Sequence, residues 1–481
     1  MNQDNSREDP EDTKRVGSRS SNDFVTPSLF LFLDSILVSI GGWIYWLVIS
    51  KLTSSSELGL AVTVYSLVIL VTTLTQLGLE YPLLKKSNIP KSQILGTSFM
   101  IELLITLASI PFVYIVINTL YDKSVEQYTW ISIGLLIILS LNFVFRFGLL
   151  GISNSKIVLI IDIIGVGIKL SSGFILVYMS YGTLGILFAY LFEGLFVFFT
   201  SLYFIKKSFS FRMGNVRYFK DTIKDALVNA PAKWSKMVIV ILSVVLLASL
   251  NVSTSEVGIF YVALMITVVV ASFASSMAYM VIPSSTTLKK DLSSGSLRLS
   301  LSLTAPIVVA LLVVPRSILS LIGPEYESAV AVLVILAVAI IPSSITANLI
   351  SKLNNLNKSK LLVLSGLLQI VTFFIAFFVL VPIYGTIGAA ISILIAYLSS
   401  SLFLMIKSGH GSFRHVFSVC LSVFAGFIVG YMISMIIGNE QQYLIIIISV
   451  ATSILVIFAL KNMTIKEMRF LLKAMLQKNH R

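Results

Sequence analysis

The sequence is poor in the residues that soluble proteins use for solvation and chemistry. Only 12% of its 481 residues are Asp, Glu, Lys or Arg, against 57% hydrophobic, and so much apolar surface needs lipid as its solvent. The single cysteine, Cys420, lies inside an apolar run, which excludes an intrachain disulfide. The three histidines, His410, His415 and His480, sit at loop or tail positions without metal-ligand spacing to it, so neither a metal nor a cofactor is expected. No G-x-x-x-x-G-K-[ST] occurs, which excludes ATP hydrolysis through a P-loop. The first 23 residues carry six acids, four basic residues and no apolar stretch; they read as a disordered tail and not as a cleavable signal.

What is present is a succession of apolar runs, each long enough to cross a hydrocarbon core about 30 Å thick as a helix rising about 1.5 Å per residue. Spans are expected at 28–50, 58–80, 95–118, 129–150, 157–179, 184–205, 235–250, 258–282, 299–317, 329–350, 361–382, 386–406, 416–437 and 443–460. The fold class is thus an all-α integral membrane protein of fourteen transmembrane helices, with both termini on one side. If that side is the cytoplasm, thirty of the 35 Lys and Arg fall in inner tails and loops, and only Lys51, Lys123 and Arg316 fall in outer ones. So lopsided a division fits a multi-pass cell-membrane protein with cytoplasmic termini. It also accounts for the net charge of +13 without nucleic acid, for which no recognition motif is present.

Three segments recur. SSSELGL at 54–60 returns as STSEVGI at 253–259, ISNSKIVLI at 152–160 as LNKSKLLVL at 356–364, and YGTLG at 181–185 as YGTIG at 384–388, the last two pairs at offsets of 204 and 203. An offset near 200 pairs span one with seven and six with twelve, which implies two parallel-repeat six-helix lobes, 28–205 and 235–406, related by an axis along the membrane normal. A cytoplasmic linker at 206–234 joins them; 407–460 adds two C-terminal helices, and 1–27 and 461–481 are tails. Val216, Phe219, Ile223 and Leu227 in the linker, and Ile465, Met468, Leu472 and Met475 in the second tail, alternate with basic residues as helices lying on the inner leaflet do. In the YGTLG and YGTIG turns, Gly is expected to take positive φ and let two helices approach closely.

The Tyr-Gly-x-x-Gly turn before span twelve, the Ser/Thr-rich loops ending in Glu-Leu-Gly or Glu-Val-Gly before spans two and eight, and LGLEYPLLKK after span two resemble the polysaccharide biosynthesis exporters. These are O-antigen-type flippases of lipid-linked oligosaccharides, in the superfamily that includes the multidrug and toxin extrusion (MATE) antiporters and the lipid II flippases. The resemblance covers about residues 25–460. It implies two lobes forming a V around a central cavity, alternating access, and, from fourteen spans in place of twelve, one of the flippase branches.

Ionisable residues inside spans carry the chemistry, since a charge near the bilayer centre costs at least about 2.5 kcal/mol. Asp34, Glu102, Arg146, Asp162, Lys169 and Glu193 all fall in the first six spans. At about 1.5 Å per residue, Asp34 and Glu102 lie about 10 Å from the inner surface, Asp162 about 8 Å and Lys169 about 18 Å. Arg146 is close enough to that surface to snorkel. Lys169 either meets an anionic substrate group or forms a structural pair with Glu193. Asp34, Glu102, Asp162 and Glu193 are the candidates for ion coupling or cavity polarity. Asp34 resembles, by lobe and helix, the acid of cation-coupled MATE exporters; its alternative is a hydrogen bond between helices.

The expected function is a flippase, not an enzyme, moving a polyprenyl-linked oligosaccharide from the inner to the outer leaflet for surface glycan or glycoprotein assembly. Lys169 and Arg146 are its substrate-binding candidates. Its partners would be membrane lipid and the glycosyltransferases and polymerase or ligase of the same pathway. The alternatives are a MATE-like cation-coupled small-molecule antiporter and a non-transporting scaffold of a glycan-synthesis complex. The topology makes a first prediction. With Cys420 removed, a single Ser328→Cys should react with an impermeant thiol reagent in intact cells and Ser293→Cys should not; the opposite pattern would invert the orientation.

Overall fold

The computed structural model describes residue 30 and residues 33–84, 91–121, 123–152, 154–208, 218–250, 252–288, 293–356, 358–408, 411–437 and 441–463. The tail at 1–27, the loop at 209–217 with Val216, and the basic tail beyond Met463 lie outside the described residues, as do His410 and His480.

Among the described residues all regular structure is helical. In chain order these are α1 (Leu33–Leu52), α2 (Ser55–Thr75), α3 (Glu80–Leu84), α4 (Lys91–Thr119), α5 (Lys123–Glu126), α6 (Thr129–Gly151), α7 (Ser155–Tyr178) and α8 (Gly182–Ser208). There follow α9 (Phe219–Ser249), α10 (Thr254–Leu288), α11 (Ser293–Val313), α12 (Pro315–Ser320), a 3-10 turn at Pro324–Ala329, α13 (Val330–Asn355), α14 (Ser359–Ser408), α15 (Gly411–Ile437) and α16 (Gln442–Ala459). Among the described residues, eleven helices are long and apolar enough to cross a membrane, and a helix satisfies its backbone polar groups internally, as lipid requires. The protein is therefore a multi-pass membrane protein. The expectation of fourteen crossings turns on α9 and α11, whose apolar stretches Ile239–Ser249 and Leu297–Val313 are shorter, and on the two arms of α14, which break apart at Gly385.

The centre of the bundle is α2. Of its apolar window 78% is buried, against 22% for α16, and it touches α4, α6, α8, α9 and α10. Its small side chains allow this: Gly59, Ala61, Thr63, Ser66, Thr72 and Thr73 are all buried, and small residues are what let helices close up in lipid, where apolar burial alone gives no drive to associate. The outside is apolar too. Trp130, Tyr178, Tyr384 and Tyr443 are more than half exposed, all at helix ends expected to be outer, where amphipathic rings anchor at the headgroups.

The linker differs from its expected placement. One continuous helix, α9, runs from Phe219 into the apolar stretch, and Phe219 and Ile223 pack on a cluster that includes Leu79, Leu83, Leu95 and Val144, with Leu227 left exposed. Phe219 and Ile223 thus meet protein, on an apolar cluster to which α3, α4 and α6 contribute; amphipathic spacing alone does not distinguish lipid from such a partner.

Both Tyr-Gly-x-x-Gly turns behave as their glycines require. Gly182 has φ +46° and Gly385 φ +54°, the region disfavoured for a side chain. The second glycine of each lets the helices close: a Cβ on Gly185 would stand 3.0 Å from that of Leu176, and one on Gly388 would stand 2.4 Å from the Leu380 carbonyl oxygen. A Cβ on Gly385 would meet nothing within 4 Å. Gly385, at φ +54° and ψ −129°, occupies a region essentially open only to glycine, so Gly385→Ala should lose about 1 to 3 kcal/mol to backbone strain alone, and Gly388→Ala about 2 to 3 kcal/mol through backbone displacement. Thermal unfolding in detergent measures both, and no loss in either variant would contradict this account of the turn.

Candidate functional site

The six ionisable residues of the first half lie on five helices, and the structure brings five of them into two ion systems. Asp34 on α1 and Asp162 on α7 both accept from Arg146 on α6: Arg146 Nη2 donates to Asp34 Oδ2, and Nε donates to Asp162 Oδ2 at 2.8 Å. The second system is Lys169 on α7 with Glu193 on α8, where Nζ lies 3.0 Å from each carboxylate oxygen. Glu102 on α4 is fully buried and accepts from Thr75 Oγ1 at 3.0 Å.

Arg146 does not snorkel. It turns inward because Asp34 and Asp162 stand on neighbouring helices at its own depth, and a charge-assisted bond in low dielectric outweighs the reach to the surface. Asp162 and Lys169, seven residues apart on α7, take different partners. The structural pairing of Lys169 with Glu193 is formed, and no gap separates them for an anion.

The two systems differ in surroundings. Lys169 lies between two ring faces, 4.9 Å from the centroid of Tyr190 and 5.6 Å from that of Tyr45, so cation–π attraction supplements the ion pair. Around it Tyr65 stacks on Tyr190 at 4.0 Å, and Trp46 meets Tyr261 of α10 edge-on at 4.9 Å. Lys169 is only 7% exposed, while Arg146 is 29% exposed beside carboxylates at 4% and 10%. Arg146 has five N–H donors, and the two carboxylates engage two of them. The other oxygen of Asp34, Oδ1, is buried and receives no hydrogen bond among the described residues.

Two glycines make room for the lysine system, one turn before and one turn after Lys169. A Cβ on Gly165 would stand 3.1 Å from Val197 Cγ2, and one on Gly173 would stand 2.6 Å from Tyr45 Cε2. The run Gly-x-x-x-Lys-x-x-x-Gly is a small-residue helix face with a cation at its centre, a signal readable in the sequence that the charges alone do not convey. The aromatic shell has no such signal, because its rings come from four helices. In the second half the described interior is polar without charge: Asn348 Nδ2 donates to Ser300 Oγ at 3.2 Å, Thr372 and Ser399 share a hydrogen bond at 2.8 Å, and Gln369 is buried.

No protein-family model matches the chain, and no curated protein matches it in sequence. Solved structures do. A lipid II flippase, MurJ, in an inward closed conformation is similar over 89% of this chain and 97% of its own, with TM-score 0.73 and 14% identity. The chain has the fold of MurJ and the MATE transporters. The MATE multidrug transporter DinF-BH matches 87% of this chain and 99% of its own with TM-score 0.59 and 15% identity. An outward-facing multidrug resistance MATE family transporter of the MOP superfamily matches 82% and 96% with TM-score 0.57 and 14% identity. In this MurJ-like and MATE-like bundle, both ion systems belong to the first half of the chain.

The lysine system makes a stability prediction. Lys169→Ala or Glu193→Ala alone leaves an unpaired charge in a dry site and should cost about 3 to 5 kcal/mol, while the double substitution recovers most of that loss. Thermal unfolding of the three variants in detergent measures it. Additive losses in the double variant would mean that the two residues do not depend on each other.

Proposed function

We propose that the protein is a flippase that carries a polyprenyl-linked oligosaccharide from the inner to the outer leaflet by alternating access. The observation that carries this reading is the likeness to a lipid II flippase along nearly the whole of both chains. In this reading the chain crosses the cell membrane fourteen times, supported by the break at Gly385 and the two shorter apolar stretches in α9 and α11. Residues 28–205 and 235–406 are its lobes, 407–460 the two added helices, and the basic loops and termini are cytoplasmic. Glycosyltransferases and a polymerase or ligase of the same pathway supply and consume the substrate.

Of the two cations, Arg146 is the better placed to meet the phosphate of such a substrate. It keeps donors beyond those its carboxylates use and it is four times as exposed as Lys169. This reverses the preference for Lys169 that depth alone suggests. Lys169, in its aromatic shell, ties α7, which also carries the Arg146 partner Asp162, to α8.

A second reading has its own observation. Among the described residues deep in the first half, four carboxylates (Asp34, Glu102, Asp162 and Glu193) accompany two cations, and Asp34 Oδ1 accepts nothing. An acidic interior favours a cationic cargo or a coupling cation, as in a MATE-like antiporter. One experiment separates the readings. Purified protein in liposomes is given a polyprenyl-diphosphate oligosaccharide with a fluorescent sugar, and exposure to an impermeant quencher is followed; a parallel set receives a cationic dye under a proton or sodium gradient. Flipping of the lipid-linked sugar that falls about ten- to a hundredfold in Arg146→Ala and partly returns in Arg146→Lys is expected. Gradient-driven dye movement with no flipping would give the function to the antiporter.

A further inference from the structure

The arm of α9 that precedes its apolar stretch turns one face to the protein and leaves another bare. At about 100° per residue, Phe219, Thr222, Ile223 and Ala226 fall on one side, and these residues are buried or packed on the cluster of Leu79, Leu83, Leu95 and Val144. Lys220, Lys224 and Leu227 are exposed, and they lie within about 60° of one another on the helix circumference. The acids of the arm, Asp221 and Asp225, begin about 60° beyond Lys224. Positive and negative charges of the arm are thus on separate faces.

Depth gives the bare face its meaning. Helix α9 has 31 residues, about 46 Å at about 1.5 Å each, and so outruns a hydrocarbon core of about 30 Å. Counted inward from Ser249, at the end expected to be outer, about twenty residues use up that core. Leu227 and Lys224 come next, in the headgroup layer, with Lys220 one turn further. A half-exposed leucine at this level meets the acyl boundary, and lysine stems can bend along the helix to put their ammonium groups among phosphates.

The surroundings add charge of the same sign. The cluster under the arm also takes in Ile205 at the end of α8 and Ile157 at the start of α7, and the residues next to these, Lys206, Lys207 and Lys156, are exposed. Each lysine near an anionic membrane surface favours it about fivefold. Topology alone would require only that basic residues stay on this side of the membrane. It does not require that they be parted from the acids or joined by an exposed leucine at headgroup depth.

We propose that the face of α9 formed by Lys220, Lys224 and Leu227 is a binding site for anionic membrane lipids: the ammonium groups take the lipid's phosphate, and Leu227 meets its first methylene groups. A lipid bound there holds the arm against the first-half cluster, while the same helix runs on against α14 of the second half. The inference does not need the flippase reading, and its test uses no transport substrate.

Purified protein in detergent is mixed with equal amounts of phosphatidylglycerol and phosphatidylcholine, and the lipids retained on the intact protein are identified by native mass spectrometry. Phosphatidylglycerol should be retained in preference. Lys220→Gln with Lys224→Gln should lower that preference more than about tenfold, from about fivefold per lysine, and Leu227→Asn should weaken retention while the preference stays. Lys358→Gln with Lys360→Gln removes the same charge from exposed residues of the second half and should change the preference less than about twofold, since charges that far apart are screened from each other. All four lysines are exposed, and unfolding temperatures without lipid check that both variants fold as the parent does. Added phosphatidylglycerol should raise the unfolding temperature of the parent and not that of the Lys220 and Lys224 variant. Retention of neither lipid, equal retention of both, or an equal loss in the two lysine pairs would overturn the site. Displacement of the lipid by inorganic phosphate at equal concentration would overturn the lipid assignment in favour of free phosphate.

Discussion

Burying charge in a solvent that cannot hydrate it is the constraint on which the arrangement of the first six long helices depends. An ionised group in hydrocarbon must bring its partner with it, so each deep cation here determines which helices stand together. Lys169 ties α7 to α8 through Glu193, and Arg146 ties α6 to α1 and α7 through Asp34 and Asp162. These bonds contribute less to net stability than their number suggests, because the desolvation of both partners offsets most of the attraction. Their larger effect is on specificity. In lipid, apolar helix faces are nearly interchangeable, and an ion pair is among the few features that make one register better than its neighbours.

The aromatic shell follows from the same constraint. A lysine held by one carboxylate still has N–H groups directed elsewhere, and the electron-rich faces of Tyr45 and Tyr190 offer them partners without adding charge. Such rings are bulky, and the helices can carry them only where glycine yields space, as Gly173 does for Tyr45. Through Trp46 and Tyr261 the shell reaches α10 in the second half. The lysine pair and the contact between the halves therefore share one layer of packed rings, so separating the halves would change the dielectric around the pair as well as its packing.

Much of this is legible in the sequence, and what is not has a physical reason. The positive φ of Gly182 and Gly385 and the close approach at Gly185 and Gly388 follow from the turn motif alone, since backbone demands at a turn are local. The pairing of Lys169 with Glu193 is one of two alternatives that the sequence leaves open, because depth can be counted along a helix. Azimuth cannot be counted across helices, which is why depth alone sends Arg146 to the surface: nothing in the spacing puts Asp34, 112 residues away, on the facing side. The linker helix departs from expectation for a related reason. Its amphipathic pattern specifies an apolar partner but not whether that partner is lipid or the ends of α4 and α6.

The charge balance of the first half bears on both functional readings proposed above. The Arg146 system holds two carboxylates on one guanidinium, and the buried Oδ1 of Asp34 has no hydrogen-bond partner among the described residues. A dry site tolerates such an excess of negative charge only if a proton or another cation is shared within it or if water reaches it. In the flippase reading proposed above, an anion arriving at Arg146 would compete with the carboxylates already there, whereas in the antiporter reading a cationic cargo would face no such displacement.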